Sequence, residues 1–296
     1  MSKKVLVTGA AGYIGSHVVR VLKEHGHHVT GLDSYGVYDE YNEIENYCNA
    51  FYKEEVTELT DFSLMRSEFD VCVHLAGRNL VSPSIDLPYE YFNANIKGTQ
   101  EVLENIKAEH VVFAGSSSSL ENASPYALSK TCAEWVIRKN KFNKQWTIFR
   151  FFNVSGSDGS HMQLGPASHL IRIMAEVACG KRKNLVIYGD DYPTEDGTCV
   201  RDYVHVVDLA EAIESACTNG ALNTDYEELG SNQGFSVWDV YNAFYEATGI
   251  KLPFQIGQRR AGDAISCKVT NLSERITLTR TIQDMCLDQY LLERNK

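Results

Sequence analysis

No apolar run in this chain reaches the roughly 18 residues that a membrane helix needs, so no membrane span is expected. Positive charge is scarce: 28 Lys+Arg stand against 39 Asp+Glu in 296 residues, a formal net charge of −11. A surface of that sign repels polyanions and tells against a general nucleic-acid or anionic-membrane binder. Any phosphorylated ligand must then be met by local positive groups. The eight cysteines include no CxxC pair, which fits reduced thiols in the cytoplasm better than a disulfide frame or a zinc site. No internal repeat or low-complexity tract is present. Met1-Ser2-Lys3-Lys4 leads straight into a strand-like segment, so no secretory leader is expected. With 44% hydrophobic and 23% charged residues the balance is that of a globular chain, and the length suits one large or two modest domains.

Short apolar segments alternate with helical patterns through the first half. Val5–Thr8, His28–Asp33, Val71–Leu75, Val111–Ala114 and Thr147–Phe152 read as strands. Ile14, Val18, Val21 and Leu22 recur at helical spacing, and further helices are expected near Ile96–Ile106 and Pro125–Lys139. Strands separated by helices need crossover connections, hence a parallel sheet covered on both faces. Beyond Asn153, glycines at 156, 159 and 165 and Pro166 break this rhythm, which predicts a domain boundary near residue 153.

Two segments carry chemistry. Thr8-Gly9-Ala10-Ala11-Gly12-Tyr13-Ile14-Gly15 joins a strand to a helix, where glycines let the backbone approach a pyrophosphate at the helix N-terminus. The next strand ends at Asp33, placed to bond an adenosine ribose and to repel a 2′-phosphate, which favours NAD over NADP. In Ser124-Pro125-Tyr126-Ala127-Leu128-Ser129-Lys130, Ser124 can cap a helix on which Tyr126 and Lys130 share one face. A phenol with a pKa near 10 needs about 4 kcal/mol of preferential phenolate stabilisation to act as a base at neutral pH. A neighbouring ammonium and an oxidised nicotinamide can supply it. Upstream, Val111–Ala114 runs into Gly115 and four serines, at the end of the strand where parallel sheets bind ligands.

TGAAGYIGS, the serine run and SPYALSK resemble the extended short-chain dehydrogenase/reductase superfamily. The run Tyr188–His205 (YGDDYPTEDGTCVRDYVH) and Arg259-Arg260-Ala261-Gly262-Asp263 are similar to segments of the UDP-glucose (UDP-galactose) 4-epimerase family. The resemblance implies an α/β fold, with a Rossmann-type doubly wound parallel sheet and a smaller α/β substrate domain. It divides the chain into an NAD domain, 1–153 with a return around 202–230, and a UDP-sugar domain, 154–296. It implies that Ser116, Tyr126 and Lys130 are catalytic. Gly9, Gly12, Tyr13, Ile14, Gly15, Asp33, Glu55, Val56, Leu75, Ala76, Gly77, Asn95 and Phe152 would join Tyr126 and Lys130 in holding NAD. Asn153, His169, Leu170, Tyr188, Arg201, Arg260, Asp263 and Cys267 would meet the UDP-sugar alongside Ser116, with the two arginines on the diphosphate. No metal is expected.

The implied reaction is reversible inversion at C4 of a UDP-hexose through a 4-keto intermediate. A dehydratase acting on nucleotide sugars and a catalytically impaired sugar-nucleotide binder are the alternatives. Against the family pattern, the connection between Ser116 and Tyr126 is short, Glu55-Val56 replaces Asp-Ile, Asn79 replaces a lysine and His169 an asparagine. Cys267 stands where a bulky tyrosine excludes N-acetyl groups, so UDP-GlcNAc and UDP-GalNAc are expected to fit. A homodimer is implied, with Trp135, Val136, Val102 and Leu103 as candidate outward apolar positions; core packing within the subunit would explain the same residues. His25-Gly26-His27-His28 reads as a helix-ending turn.

Overall fold

Val5-Leu6-Val7 and Val71-Cys72-Val73 present apolar side chains to both faces of a strand, the pattern of a parallel sheet buried on both sides. A computed structural model describes residues 1–35, 39–120, 123–139, 144–160, 167–222, 224–260 and 263–295. Glu121-Asn122 of the short connection, Gly165-Pro166, and Ala261-Gly262 lie outside the described residues. The chain forms two units: Met1–Phe151 with Ala210–Glu227, and Phe152–Leu209 with Glu228–Lys296.

In chain order the first unit holds β1 (Lys4–Thr8), α1 (Tyr13–Glu24), β2 (His28–Asp33), β3 (Ala50–Lys53), α2 (Phe62–Arg66) and β4 (Glu68–His74). There follow α3 (Val81–Asp86), α4 (Pro88–Phe92), α5 (Gly98–Asn105), β5 (Lys107–Ser116), α6 (Pro125–Arg138) and β6 (Gln145–Phe151). These strands run β3-β2-β1-β4-β5-β6, and every neighbouring pair is parallel. The expected doubly wound sheet is therefore present, with its topological switch point between β1 and β4, where such sheets bind ligands.

Several expected boundaries move. The helix expected at Ile96–Ile106 is regular only from Gly98, because Asn93–Lys97 forms a π-helical turn that aims Asn95 inward. The strand expected at Val111–Ala114 runs from Lys107 to Ser116; its entry carries polar residues, among them buried His110 bonded to Thr147 at 2.9 Å. β3 has no fully buried position, which left it silent in the apolar pattern. Of the four residues open to either an outward or a core placement, Val102 and Leu103 are buried in two interior clusters and Val136 packs against the second. Only Trp135 faces solvent.

The second unit begins with β7 (Asn153–Ser155), α7 (Leu170–Ala178), β8 (Leu185–Tyr188), β9 (Val200–Arg201) and β10 (Tyr203–His205). The chain then follows α8 (Val206–Asn219), which opens here and ends in the first unit, and β11 (Glu227–Leu229), which begins at the first unit's last residue. β12 (Phe235–Ser236), α9 (Val237–Thr248), β13 (Phe254–Gly257), β14 (Ser266–Cys267) and α10 (Ile282–Arg294) complete the second unit. Ile171, Met174, Phe244 and Met285 form the heart of its core. No described helix is long and apolar enough to cross a membrane, and none of the eight cysteines is in a disulfide.

Asp202 is fully buried between β9 and β10 and organises this unit. Its carboxylate accepts from the backbone amides of Tyr203 (2.9 Å), Ser231 (2.6 Å) and Val269 (3.4 Å), and from the Ser231 hydroxyl (2.7 Å). Three chain segments thus converge on one side chain. Asp202→Ala would leave those amides without an acceptor, each at about 1–3 kcal/mol. The expected loss is about 3 kcal/mol or more, read as a fall in the urea midpoint of second-unit unfolding.

Candidate active site

The glycine-rich turn leaves β1 with Gly9 at φ +71°, where its amide donates to the Leu32 carbonyl at 2.8 Å. A Cβ on Gly9 would stand 2.8 Å from the Ala76 amide nitrogen, and one on Gly15 would stand 1.9 Å from the Gly9 carbonyl oxygen. The backbone here is closed to side chains. Gly12 is the N-cap of α1 and brings no side chain to the first amides, so a capping side chain does not compete there with an anion at the positive end of the helix dipole. A pyrophosphate is the chemical complement of that arrangement. At the end of β2, the Asp33 carboxylate accepts from the amides of Ala11 (2.9 Å) and Tyr35 (2.8 Å). Burial pushes the Asp33 carboxyl above its usual range, and those two bonds partly offset the push. The donor set and the bare cradle fit a dinucleotide.

Leu75, Ala76 and Gly77 follow β4. The Leu75 amide donates to the Thr8 carbonyl (3.1 Å) and the Ala76 amide to the Thr8 hydroxyl (3.3 Å). Asn95 clamps this loop: its Oδ1 accepts from the Arg78 amide (2.8 Å), while its Nδ2 donates to the Arg78 carbonyl (3.0 Å) and to Ser129 of α6 (2.8 Å). Val56 is buried and packs at Gly98, where a Cβ would come within 3.0 Å of it; neighbouring Glu55 raises the Asp33 carboxyl further.

α6 begins as its sequence dictates, with Ser124 accepting from the Ala127 amide at 3.1 Å and Pro125 in the first turn. Tyr126, Lys130 and Glu134 follow at one-turn intervals and are 8%, 7% and 0% exposed. A tyrosine and lysine on an ordinary amphipathic helix would leave the amine in water; here it is interior. Ser116, the last residue of β5, is the polar side chain that acts on the Tyr126 hydroxyl. Burial pushes the phenol above its usual range, Ser116 opposes that, and Tyr91, packed edge-on at 6.3 Å, adds to the rise. Lys130 Nζ sits 4.8 Å over the Phe113 ring; burial brings its pKa down to about 8, against a counter-pull from Glu134. Glu134 accepts from Arg150 Nε (3.0 Å) and Nη2 (2.8 Å) and from Arg138 Nη2 (3.0 Å). His74 is kept neutral, its pKa down to about 3 through burial and the nearby Lys130 charge, and its ring bonds Thr8 (2.7 Å) and Thr99 (3.1 Å). Sequence reading missed Tyr91, Glu134, Arg150 and His74. The one available signal was the charged run Lys130, Glu134, Arg138 at i, i+4 on a helix with apolar neighbours.

The second unit holds its own candidates in several small groupings. At the end of β8, Tyr188 lies under the Arg260 guanidinium at 4.9 Å, and Arg260 Nε donates to Asp263 at 2.8 Å. In β9, Arg201 is the register partner of Cys267 in β14. Asn153 opens β7 and donates from Nδ2 to the Asp202 carbonyl at 2.9 Å, while Phe152 beside it is buried. His169 is the N-cap of α7, lowered in pKa by burial and by Arg172, and Leu170 starts that helix against the core.

Residues 5–227 match the model of the NAD dependent epimerase/dehydratase family. The UDP-glucose 4-epimerase of Halalkalibacterium halodurans is 34% identical over 88% of this chain and 85% of its own length. Among solved structures, the UDP-glucose 4-epimerase of Bifidobacterium longum in complex with NAD+ and UDP aligns with a TM-score of 0.87 at 28% identity, covering 99% of this chain and 98% of that one. The UDP-glucose 4-epimerase of Brucella ovis in complex with NAD aligns at 0.89 with 25% identity, covering 99% of each.

Lys130 makes stability depend on alkaline pH. Below about pH 8 folded and unfolded chains both hold its proton; between there and the ordinary lysine value only the unfolded chain does. Stability therefore rises with pH across that window, by about 3 kcal/mol in full. Urea midpoints measured from pH 8 to 10 are expected to show this rise in the parent and a flatter profile in Lys130→Met.

Proposed function

Because the chain belongs to the NAD dependent epimerase/dehydratase family, in its UDP-glucose 4-epimerase branch, we propose that it inverts C4 of UDP-hexoses and accepts N-acetylated ones. At the coarser level it is a UDP-sugar epimerase that uses NAD. The observation carrying the finer reading is that Ser116 at the mouth of β5, Tyr126, and Lys130 one turn along the same helix are all interior, with Ser116 acting on the phenol. In this reading Tyr126 takes the proton of the sugar 4-hydroxyl, and Ser116 holds that hydroxyl and the phenol oxygen together. When bound, NAD supplies the acceptor that takes the C4 hydride and returns it to the other face of a 4-ketose. Lys130 supports the phenolate, and Glu134 keeps a negative charge behind that amine.

The cofactor's diphosphate is assigned to the Gly9–Gly15 turn with Tyr13 and Ile14, and its ribose to Asp33. Glu55, Val56, Leu75, Ala76, Gly77, Asn95 and Phe152 are assigned to its surroundings. For the substrate, Arg201 and Arg260 would neutralise the UDP diphosphate by forked donation, which answers the acidic surface. Asp263 is assigned to the ribose, Leu170 and Tyr188 to the uracil, and Asn153 and His169 to the phosphate–sugar end. Cys267, beside Arg201, sets the room at the sugar. Ser117-Ser118 after Ser116 offer no carboxyl for expelling water, which tells against a dehydratase. A pure binder gains nothing from a desolvated amine at Lys130, whose burial costs free energy. The exposed Trp135 and Leu128 on α6 support a homodimer through that helix, and eight cysteines outside any disulfide suit the cytoplasm.

Turnover of UDP-glucose, UDP-galactose and their N-acetyl forms, with NAD content assayed in the same sample, tests the proposal. Tyr126→Phe is expected to cut kcat by about 10²–10⁴-fold while leaving NAD content unchanged. No turnover by folded, NAD-loaded parent protein on any of the four would reject the reaction. Cys267→Tyr is expected to abolish activity on the N-acetylated pair and spare the plain hexoses; equal loss on both would reject the size gate.

A further inference from the structure

The first unit gathers a second set of chemistry-bearing side chains, apart from the Tyr126 corner. His25 ends α1, and Gly26 at φ +79° turns the chain so that His27 follows on the next segment. The expected helix-ending turn is there, but its histidines meet partners from far along the sequence. On α8, Glu211 and Glu214 sit one turn apart. His25 Nε2 stands 3.2 Å from Glu211 Oε2, and His25 Nδ1 stands 3.6 Å from Glu214 Oε2. Behind them, buried His27 receives the Lys3 amide on Nδ1 at 3.1 Å, which leaves its Nε2 to donate to Glu214 Oε1 at 3.0 Å. The Thr218 hydroxyl donates to the same oxygen at 2.6 Å. One oxygen of Glu214 is fully committed, and the other is turned toward His25.

Glu214 is largely buried, and the bonds from Thr218 and His27 keep its carboxylate supplied with donors there. Neither Glu211 nor Glu214 pairs with a lysine or arginine among the described residues. Two carboxylates therefore share one half-exposed imidazole with no strong cation to balance them.

We propose that His25, Glu211 and Glu214 form a binding site for a divalent metal of the zinc class, with His27 orienting Glu214 from behind. One ligand atom from each residue already lies within 4.8 Å of the others. Zinc bonds nitrogen and oxygen at about 2.0–2.2 Å, so ligand atoms in its tetrahedron stand about 3.3 Å apart. The His25–Glu211 pair meets that spacing, and rotation of these two half-exposed side chains closes the remainder. An imidazole beside carboxylates selects zinc, cobalt or nickel over magnesium and calcium, which prefer oxygen alone. A histidine hydrogen-bonded to a ligating carboxylate is the outer support that such sites use. The metal would tie the end of α1 to α8 and stabilise the first unit by mass action.

The test uses the NAD-loaded protein, stripped with a chelator and titrated with Co²⁺ and with Zn²⁺. Cobalt separates this site from the cysteines, because thiolate ligands give an intense charge-transfer band and imidazole and carboxylate do not. The expected result is one equivalent of Co²⁺ without that band, and a Zn²⁺-dependent rise in Tm. His25→Ala and Glu211→Gln, at side chains 42% and 44% exposed, are expected to weaken binding at least tenfold while leaving sugar turnover unchanged. Unchanged binding in both variants, a thiolate band at one equivalent, or no binding at millimolar metal would overturn the assignment.

Discussion

The structure depends most on a buried charge column along one face of α6. Glu134 is completely enclosed and holds Arg150 through two hydrogen bonds and Arg138 through a third. Removing one member of such a group leaves an interior charge without a partner, a penalty far larger than the worth of a surface ion pair. The column also fixes where α6 lies on β5, since a Cβ at Gly115 would come within 2.9 Å of Glu134 Oε1. Tyr126 and Lys130 inherit their positions from that seating. The Arg150 guanidinium, stacked 3.8 Å over Tyr226, closes the far end.

The same column explains how an amine can be interior and still carry charge. Desolvation alone would discharge Lys130; Glu134, one turn on, draws it back, so the group is poised near pH 8 instead of being silenced. Tyr126 is in the opposite situation. The groups described around it raise its pKa on balance, with only Ser116 opposing.

Much of the first unit could be read from sequence because its signals are local. The glycine turn, the Ser124-Pro125 helix start and the doubly apolar strands are each decided within a few residues, and β2 falls on the expected His28–Asp33. Elements whose reasons are tertiary were illegible. β3 is a half-exposed strand paired with β2 at the edge of the sheet, and the π-turn at Asn93–Lys97 exists to bring Asn95 onto the Arg78 loop and Ser129. Val102 and Leu103 look the same in sequence whether they face solvent or core. In the second unit, strands of two or three residues carry no periodicity at all, and they are organised by Asp202, whose role no spacing rule announces. The Tyr188–His205 resemblance pointed to a sugar nucleotide, but half of what that segment does is architectural. Gly197 at φ +80° leaves no room for a Cβ beside the Asp190 carbonyl, and Tyr192 caps the same bend through its amide.

The join between β1, α1 and the end of β4 has an implication for engineering. Gly9 meets Gly15 and Ala76 backbone to backbone, with nothing interposed that could be trimmed or enlarged to absorb an error. A fitted seam of that kind cannot be transplanted piecemeal. A chimera that borrows the turn must import the β4 exit and the opening of α1 in one cassette, because neither half has any slack with which to accommodate a stranger.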